Sequence, residues 1–217
     1  MHAVQYDKYR GGADGLKDGG GLAEYAVAKD SLMVARPPEV SAAEGAGLPT
    51  AGLTAHQALT QSAGIKLDGS GKHANILITA ASGGSLGADE VLDYKTHDGD
   101  ALKSPSGKKY DAVIHCATGI PWSTLEPNLS ANGKVMDLTP GSRAMLTYAI
   151  KKLTLSKRQL VPLLMSPKAE NLSYLVNLVK EGKLKTVIDS IHPLSQARDA
   201  WAKSMDGPAT RKIIVEP

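Results

Sequence analysis

One stretch near the middle of the chain, residues 75–94, constrains the fold more than any other. It begins with Asn75–Ala80 (NILITA), an apolar run of the kind that forms a strand covered on both faces in a parallel sheet. The small residues Ala81–Gly84 follow, and such residues let a backbone turn tightly and bring its N–H groups close to an anion. The sequence therefore predicts a strand followed by a phosphate-binding turn.

This turn does not lead into the helix that a dinucleotide-binding fold requires. In such a fold the helix N-terminus completes the phosphate site, and a second strand follows about 20 residues on. Here a second short strand pattern, Glu90–Tyr94, comes after residues 81–89 alone, whereas a parallel crossover needs on the order of 10–12 residues or more. Three explanations stay open: an antiparallel pair, a chain that has lost a segment, or a segment missing from the sequence as written.

Composition narrows the class of protein. The 217 residues are 42% hydrophobic, which is enough for the core of one large or two small domains. The net charge of +3 is spread along the chain without a basic block, so no nucleic-acid partner is expected. No run approaches the roughly 18 apolar residues of a membrane span. A single cysteine and six scattered histidines lack metal-ligand spacing, so no metal site is predicted.

Further patterns place helices and strands along the chain. A capping box of Ser41 and Glu44 predicts a helix from Ala42. A buried strand is predicted at each apolar segment that is followed by a loop of small residues. Three such strands would form the sheet edge at which doubly wound folds bind ligands. The predicted elements are a flexible turn at 18–21, a helix at 50–62, strands at 110–116, 133–138 and 184–188, a turn at 132–133, and an amphipathic helix at 169–182.

The segment Ser142–Arg158 alternates basic and apolar residues. Lys151-Lys152 and Lys157-Arg158 form its most basic part. A solvated helix face is one interpretation, and peripheral contact with an anionic membrane surface is the other.

Several motifs together resemble one family. ILITAASGG followed by SLGADEVLDYK, then KYDAVIHCATG and NGKVMDLTPG, resembles the zinc-free quinone oxidoreductase branch of the medium-chain dehydrogenase/reductases, and within it the plant members of the chloroplast envelope. The resemblance runs from HAVQYDKYRGGADGLK at the start to RKIIVEP at the end. It implies that two family segments are absent, one at the junction 17/18 and one at 84/85.

The resemblance implies an α/β fold in two parts. Residues 49–183 would form a doubly wound Rossmann-type NADP-binding domain, and residues 1–48 with 184–217 the remnant of a GroES-like, β-rich catalytic domain. The chain begins at the family's first strand, so no transit segment is expected before it. A chloroplast location, peripheral to the envelope membrane, is implied by the resemblance alone.

The implied activity is zinc-independent hydride transfer from NADPH to a quinone or an α,β-unsaturated carbonyl compound. The cofactor supplies the hydride, so few titratable side chains are needed and no catalytic residue is singled out. A homodimer is an assembly compatible with the family. The alternative function, suggested by the two absent segments and the basic helix, is a non-catalytic remnant acting as a structural or membrane-associated subunit.

The resemblance also assigns cofactor-binding positions. Thr54 would lie beside the nicotinamide and diphosphate, although a buried helix threonine bonding its own backbone is the other interpretation. Tyr94 would lie near the 2′-phosphate, unless it merely caps a strand. The remaining positions match strand-end loops: Ser82, Gly83 and Gly84 at the diphosphate, Cys116, Ala117 and Thr118 at the adenine side, and Leu138 and Thr139 near the nicotinamide.

Overall fold

The structure is a computed structural model that describes residues 3–6, 16–23, 30–71, 73–80, 88–205 and 211–217. The chain divides into two compact units. One unit takes in Met1–Leu53 and Ser166–Pro217, and the other Thr54–Met165. How these units correspond to the predicted domains stays a prediction.

The unit of residues 54–165 is built on a four-stranded sheet in which all pairs are parallel. Its strand order is β3–β4–β5–β6, with a helix-containing connection between successive strands. The strands are β3 (Ile76–Ile78), β4 (Tyr110–His115), β5 (Leu129–Asp137) and β6 (Gln159–Pro162), and the connecting helices are α3 (His97–Asp100), α4 (Trp122–Leu125) and α5 (Ser142–Leu153).

Apolar side chains cover both faces of the two central strands. Alternate residues of a strand point to opposite faces, and β4 accordingly sends Val113 into one cluster and Ala112 and Ile114 into another. The first cluster includes Leu125 of α4, and the second includes Ala58 of the π-helical turn that follows the helix over 49–57. The predicted strands at 110–116 and 133–138 are thereby confirmed as buried parallel strands.

The predicted turn at Asn132-Gly133 is wrong, because both residues lie inside β5. The pairing of β4 with β5 is irregular between Tyr110 and Ala112, beside this dipeptide. A Cβ on Gly133 would lie 2.8 Å from the carbonyl oxygen of Tyr110. The absence of a side chain at Gly133 therefore allows β4 and β5 to approach closely, which is a common reason for glycine in a strand.

β3 departs from its prediction, because it is short and lies at the edge of the sheet. Ile76 and Ile78 are 36% and 51% exposed, although Asn75–Ala80 was predicted to be covered on both faces. The predicted strand Glu90–Tyr94 is also wrong, since these residues are irregular and end in a turn. In the described part of this unit, β4 is the only neighbour of β3, so side chains that a second strand and its helix would cover reach solvent.

Asn75 fixes the start of this edge strand. Its backbone N–H donates to Asp111 Oδ2 at 3.0 Å, and its side-chain Nδ2 donates to the carbonyl oxygen of Lys109 at 3.3 Å. The N–H of Asp111 donates back to the Asn75 carbonyl at 2.8 Å. β3 is therefore tied to β4 before its first paired residue.

The other unit contains two small sheets and helices. Ser41 and Glu44 form the predicted capping box at the start of α1, and Val40, Leu48 and Val176 share an apolar cluster. The turn predicted at 18–21 is wrong, because these residues lie within β2, at the irregularity where its register against β1 shifts. The strand predicted at 184–188 begins at Ile188 instead. The elements of this unit are β1 (Ala3–Tyr6), β2 (Leu16–Ala23), α1 (Ala42–Ala46), α6 (Ala169–Lys180), β7 (Ile188–Pro193), α7 (Ala197–Met205) and β8 (Lys212–Glu216), and α2 (Pro49–Gln57) runs from it into the other unit.

Candidate functional site

Three buried polar residues lie at the carboxyl ends of three neighbouring strands. Thr79 follows β3, His115 ends β4 and Asp137 ends β5, and their relative exposures are 5%, 4% and 6%. His115 and Asp137 are register partners, and the N–H of Thr79 donates to the carbonyl of Ile114 at 3.1 Å. Ligands of open α/β sheets bind at this edge, so the cluster marks the candidate site.

The Thr79 hydroxyl organises the cluster through three hydrogen bonds. It accepts the backbone N–H groups of Cys116 and Ala117 at 3.0 and 3.3 Å. A hydroxyl has two acceptor lone pairs and one proton, so the proton is left for His115 Nδ1, 3.1 Å away. We therefore assign His115 as a neutral imidazole that accepts at Nδ1 and carries its proton on Nε2.

The electrostatic surroundings of His115 support the neutral form. Burial lowers the pKa of the imidazole below its usual value, and the charge of Asp137 acts in the opposite direction. Asp137 itself accepts the N–H of Thr139 at 3.0 Å through Oδ1. The strand ends thus hold a neutral imidazole next to a carboxylate whose position is fixed by the following turn.

The turn after β4 is built from small side chains. It runs from Cys116 to Gly119, and a Cβ on Gly119 would have no atom within 4 Å, so the space beside it is open. Cys116 is exposed as a residue, but its Sγ lies 3.9 Å from the carbonyl oxygen of Ile114. Burial of the sulfur raises the pKa of the thiol, so it stays protonated at neutral pH and is a poor nucleophile.

The turn after β5 adjoins the turn after β4. The N–H of Leu138 donates to the carbonyl of His115 at 3.1 Å, and the exposed Thr139 follows. Gly141, at the start of α5, also has no atom within 4 Å of an added Cβ. Open space therefore adjoins both turns at this edge of the sheet.

Five of the ten predicted cofactor positions lie together at this edge, namely Cys116, Ala117, Thr118, Leu138 and Thr139. Thr54 is half-buried in α2. Tyr94 lies in a turn, is 73% exposed and has Lys95 Nζ 6.0 Å from its ring centroid. Ser82, Gly83 and Gly84 lie outside the described residues. Contact of any of these ten residues with a cofactor stays a prediction.

Sequence reasoning missed the three residues that organise the edge, Thr79, His115 and Asp137. The signal was present, because each is a polar residue at the end of a predicted apolar strand. Buried polar side chains require hydrogen-bond partners, and partners on the neighbouring strand end satisfy that requirement.

The described residues contain neither a metal cluster nor a membrane-spanning helix. Within the described ranges, no group of three or more His, Cys, Asp or Glu side chains is placed to hold a metal ion. Among the same residues, no helix combines the length and apolarity needed to span a bilayer.

Comparison with known proteins identifies the family. The zinc-binding dehydrogenase family profile matches residues 86–215. The chloroplast envelope quinone oxidoreductase homologue of Arabidopsis thaliana is 66% identical over 92% of this chain and 69% of its own length. The chain belongs to the medium-chain dehydrogenase/reductase family, among the plant quinone oxidoreductase homologues. The chloroplastic homologue of Spinacia oleracea is 64% identical over the same shares.

Solved structures of this family share the fold. The quinone oxidoreductase of Coxiella burnetii matches with a TM-score of 0.68 and 26% identity, over 85% of this chain and 63% of that one. The chain therefore spans less than two thirds of that structure. The match confirms the predicted α/β fold class, with Rossmann-type and GroES-like parts. The names of the two plant relatives confirm the predicted chloroplast location, and peripheral attachment to the envelope stays a prediction.

The alignment with the Arabidopsis homologue also shows an internal difference. It is 228 positions long but takes in 92% of the 217 residues, about 200, so about 28 of its positions have no counterpart in this chain. That number is close to the size of one helix and one strand, since a whole βαβ unit takes roughly 30 residues or more.

Members of this family are oxidoreductases, and its quinone oxidoreductases generally use NAD(P)H. The candidate site fits such a cofactor in two respects: the adjacent turns after β4 and β5 lie at the ligand edge of a parallel sheet, and open space adjoins Gly119 and Gly141. The N–H groups of Cys116 and Ala117 already donate to Thr79. These two residues would therefore contact a cofactor by packing rather than by donating hydrogen bonds.

Proposed function

We propose that this protein is an NADPH-dependent reductase of quinones or α,β-unsaturated carbonyl compounds and that it works without zinc. The observation that supports the proposal is the buried Thr79–His115–Asp137 cluster, which fixes two strand-end turns at the ligand edge of the sheet. Both substrate classes present an electron-poor carbon conjugated to a carbonyl. A hydride acceptor of this kind needs orientation and polarisation more than an acid–base pair.

NADPH, when bound, supplies the hydride. In the proposal, Ala117 and Thr118 pack beside the adenine, and Leu138 and Thr139 lie against the nicotinamide. Ser82, Gly83 and Gly84 bind the diphosphate through backbone N–H groups. Tyr94 donates its hydroxyl to the 2′-phosphate, and the adjacent Lys95 adds positive charge there, which would favour NADPH over NADH.

The role of the Thr79 hydroxyl in this proposal is to hold the turn after β4 in place. Two N–H groups of that turn end on one oxygen, so the turn keeps its shape whether or not a ligand is present. Preformed sites lose less free energy on binding than sites that must first become ordered. Thr79 is therefore a positioning residue, and it is not expected to touch the substrate.

The proposal is tested by titrating the protein with NADPH and following cofactor fluorescence. The titration is made first on this chain and then on a chain extended between Gly84 and Ser85, the junction at which the resemblance implies an absent segment. The insert is about 28 residues of the Arabidopsis homologue, the number of aligned positions without a counterpart here. Reduction of a benzoquinone and of an alkenal is then followed by loss of NADPH absorbance. We expect the extended chain to bind NADPH and reduce one of the two acceptors. Absence of binding by both chains would refute the proposal.

A second candidate function is a non-catalytic structural or membrane-associated subunit. It is favoured by the exposed edge strand β3 and by the aligned positions of the Arabidopsis homologue that have no counterpart in this chain. The same titration separates the two candidates. If only the extended chain binds NADPH, the 217-residue chain is the non-catalytic form. Binding and turnover by the 217-residue chain itself would exclude that role.

A further inference from the structure

Helix α5 follows the turn after β5, and none of its twelve residues, all within the described range 88–205, is buried. Its leucines and isoleucine point to solvent, since Leu146, Ile150 and Leu153 are 62%, 50% and 85% exposed. Four positions along one face are half-buried, namely Ala144, Thr147, Tyr148 and Lys151. A surface helix is normally held by an apolar stripe that it buries, so α5 requires another attachment.

A set of three polar contacts joins α5 to α4. Glu126, directly after α4, accepts a hydrogen bond from Lys151 Nζ at 2.6 Å through Oε1 and one from Trp122 Nε1 at 2.6 Å through Oε2. Lys151 Nζ also lies 5.0 Å from the centroid of the Trp122 ring, within the range of a cation–π contact. Each of the three side chains thus contacts the other two, and we call this set the α4–α5 link.

The α4–α5 link is partly shielded from solvent. The side chains of Lys151 and Glu126 are 20% and 33% exposed, whereas those of Lys103 and Asp98, an ion pair in the same unit, are 57% and 74% exposed. Burial raises the pKa of Glu126, but the hydrogen bonds from Lys151 and Trp122 and the nearby cations outweigh burial and hold the pKa below its usual value. Glu126 is therefore ionised at neutral pH, and the hydrogen bonds to it are charge-assisted.

The two ends of the α4–α5 link differ in how firmly they are held. Trp122 packs against the buried cluster that contains Val113 and Leu125. Just after Glu126, the carbonyl of Pro127 accepts a hydrogen bond from Lys109 Nζ at 2.9 Å. α4 and the residues that follow it are thereby fixed to the core of the unit. The link extends this anchorage to α5, which buries no side chain of its own.

We propose that Lys151 is a positioning residue that, through the α4–α5 link, fixes the start of α5 and with it the turn Leu138–Gly141 at the candidate site. Turn and helix are continuous, because the N–H of Met145 donates to the carbonyl of Gly141 at 3.0 Å. A helix is a rigid element, so an attachment near its last turn also limits movement of its first turn. The consequence for the cofactor rests on the proposed function, in which Leu138 and Thr139 lie against the nicotinamide.

Amide hydrogen exchange of this chain, measured without cofactor, tests the proposal. Lys151→Met keeps most of the aliphatic stem and removes the ammonium group. We expect roughly ten-fold faster exchange at the N–H groups of Leu138 and Met145, with unchanged exchange at the N–H of Asp111, which bonds to Asn75 at the other end of the sheet. An equal increase at all three N–H groups would indicate general destabilisation and overturn the proposal, as would unchanged exchange at Leu138 and Met145.

Two further variants isolate the contribution of the ion pair. Lys151→Arg retains a cation that can donate to Glu126, so we expect exchange close to the wild-type rate. Exchange as fast in Lys151→Arg as in Lys151→Met would contradict a role for the cation. Lys103→Met is the matched control, because it removes the ammonium group of an exposed pair, and such pairs contribute little. A control that accelerates exchange at Leu138 as much as Lys151→Met does would also contradict the proposal.

Ligand titrations distinguish failure of this proposal from failure of the proposed function. On a chain that binds NADPH, Lys151→Met should weaken NADPH binding roughly ten-fold but leave unchanged the binding of adenosine 2′,5′-bisphosphate, which lacks the nicotinamide. Equal weakening of both ligands would overturn an action through the turn Leu138–Gly141. Absence of NADPH binding by every chain would refute the reductase, and the exchange experiment would then decide by itself whether Lys151 positions this turn.

Discussion

Replacing the Thr79 hydroxyl tests the central structural claim about the candidate site. Thr79→Val keeps the size and branching of the side chain and removes only the hydroxyl. It leaves the N–H groups of Cys116 and Ala117 without their acceptor and His115 Nδ1 without its donor. Thr79→Ser is the matched control, because it keeps the hydroxyl and loses one methyl group.

The expected magnitudes follow from the hydrogen-bond count. A buried polar group left without a partner costs about 1–3 kcal/mol. Cys116 is exposed and its N–H can be rehydrated, so we count the other two groups and expect Thr79→Val to lower the free energy of unfolding by about 2–6 kcal/mol. Loss of one buried methyl in Thr79→Ser costs about 1 kcal/mol. The two variants should therefore differ clearly.

Urea unfolding followed by tryptophan fluorescence measures the difference. The chain has two tryptophans, Trp122 in the unit with the sheet and Trp201 in the other unit. In a Trp201→Phe background, Trp122 alone reports on the unit that holds Thr79. With a urea slope of about 1–3 kcal/mol per M, the Val and Ser midpoints should differ by roughly 1 M. Equal midpoints with equal slopes would refute the assignment of the hydroxyl as the shared partner.

Three further predictions address His115, β5 and β3. The pKa of His115 in the folded state lies below its usual 6.5, so the unfolded chain binds more protons near that pH and stability falls as the pH drops below about 6.5. In His115→Asn, the urea midpoint should fall less steeply with decreasing pH. The same dependence of the midpoint on pH in both proteins would contradict the role of the histidine. Gly133→Ala should lower the melting temperature through a clash worth about 1–3 kcal/mol, whereas Gly141→Ala, with open space around it, should change it little. Ile78→Lys should change the free energy of unfolding of this chain by no more than about 0.5 kcal/mol. It should destabilise the chain extended after Gly84 by about 2 kcal/mol or more, because there the side chain is expected to be covered. Equal effects on the two chains would mean that the added segment does not pack on β3.

The central strands were predictable because their sequence patterns are determined by burial. YDAVIH and GKVMD each have consecutive apolar residues at their centre, AVI and VM, which require cover on both faces, and both segments form interior strands. The capping box at Ser41 was equally predictable, since it depends on residues three apart. In each case the information lies within a few consecutive residues.

The errors arose where structure depends on neighbours. Glu90–Tyr94 has a strand pattern, but a strand forms only beside a partner, and these residues are irregular. Asn132-Gly133 is a strong turn signal, yet pairing of β5 with β4 overrides it. The buried cluster was missed for the same reason, because the partner of Thr79 is His115, 36 residues away. Only the sheet order brings the two together.

The hydrogen bonds at the two ends of β3 fix the register of this strand against β4. Before its first residue, Asn75 bonds to Asp111 and Lys109, and after its last residue, Thr79 bonds to His115 and to the turn beyond it. A shift of one residue would break both sets of polar bonds and turn Leu77 from the half-buried side to the solvent. A strand of three residues with one neighbour would otherwise slip easily. Anchored at both ends, it can keep its register whether or not a further strand pairs with its other edge.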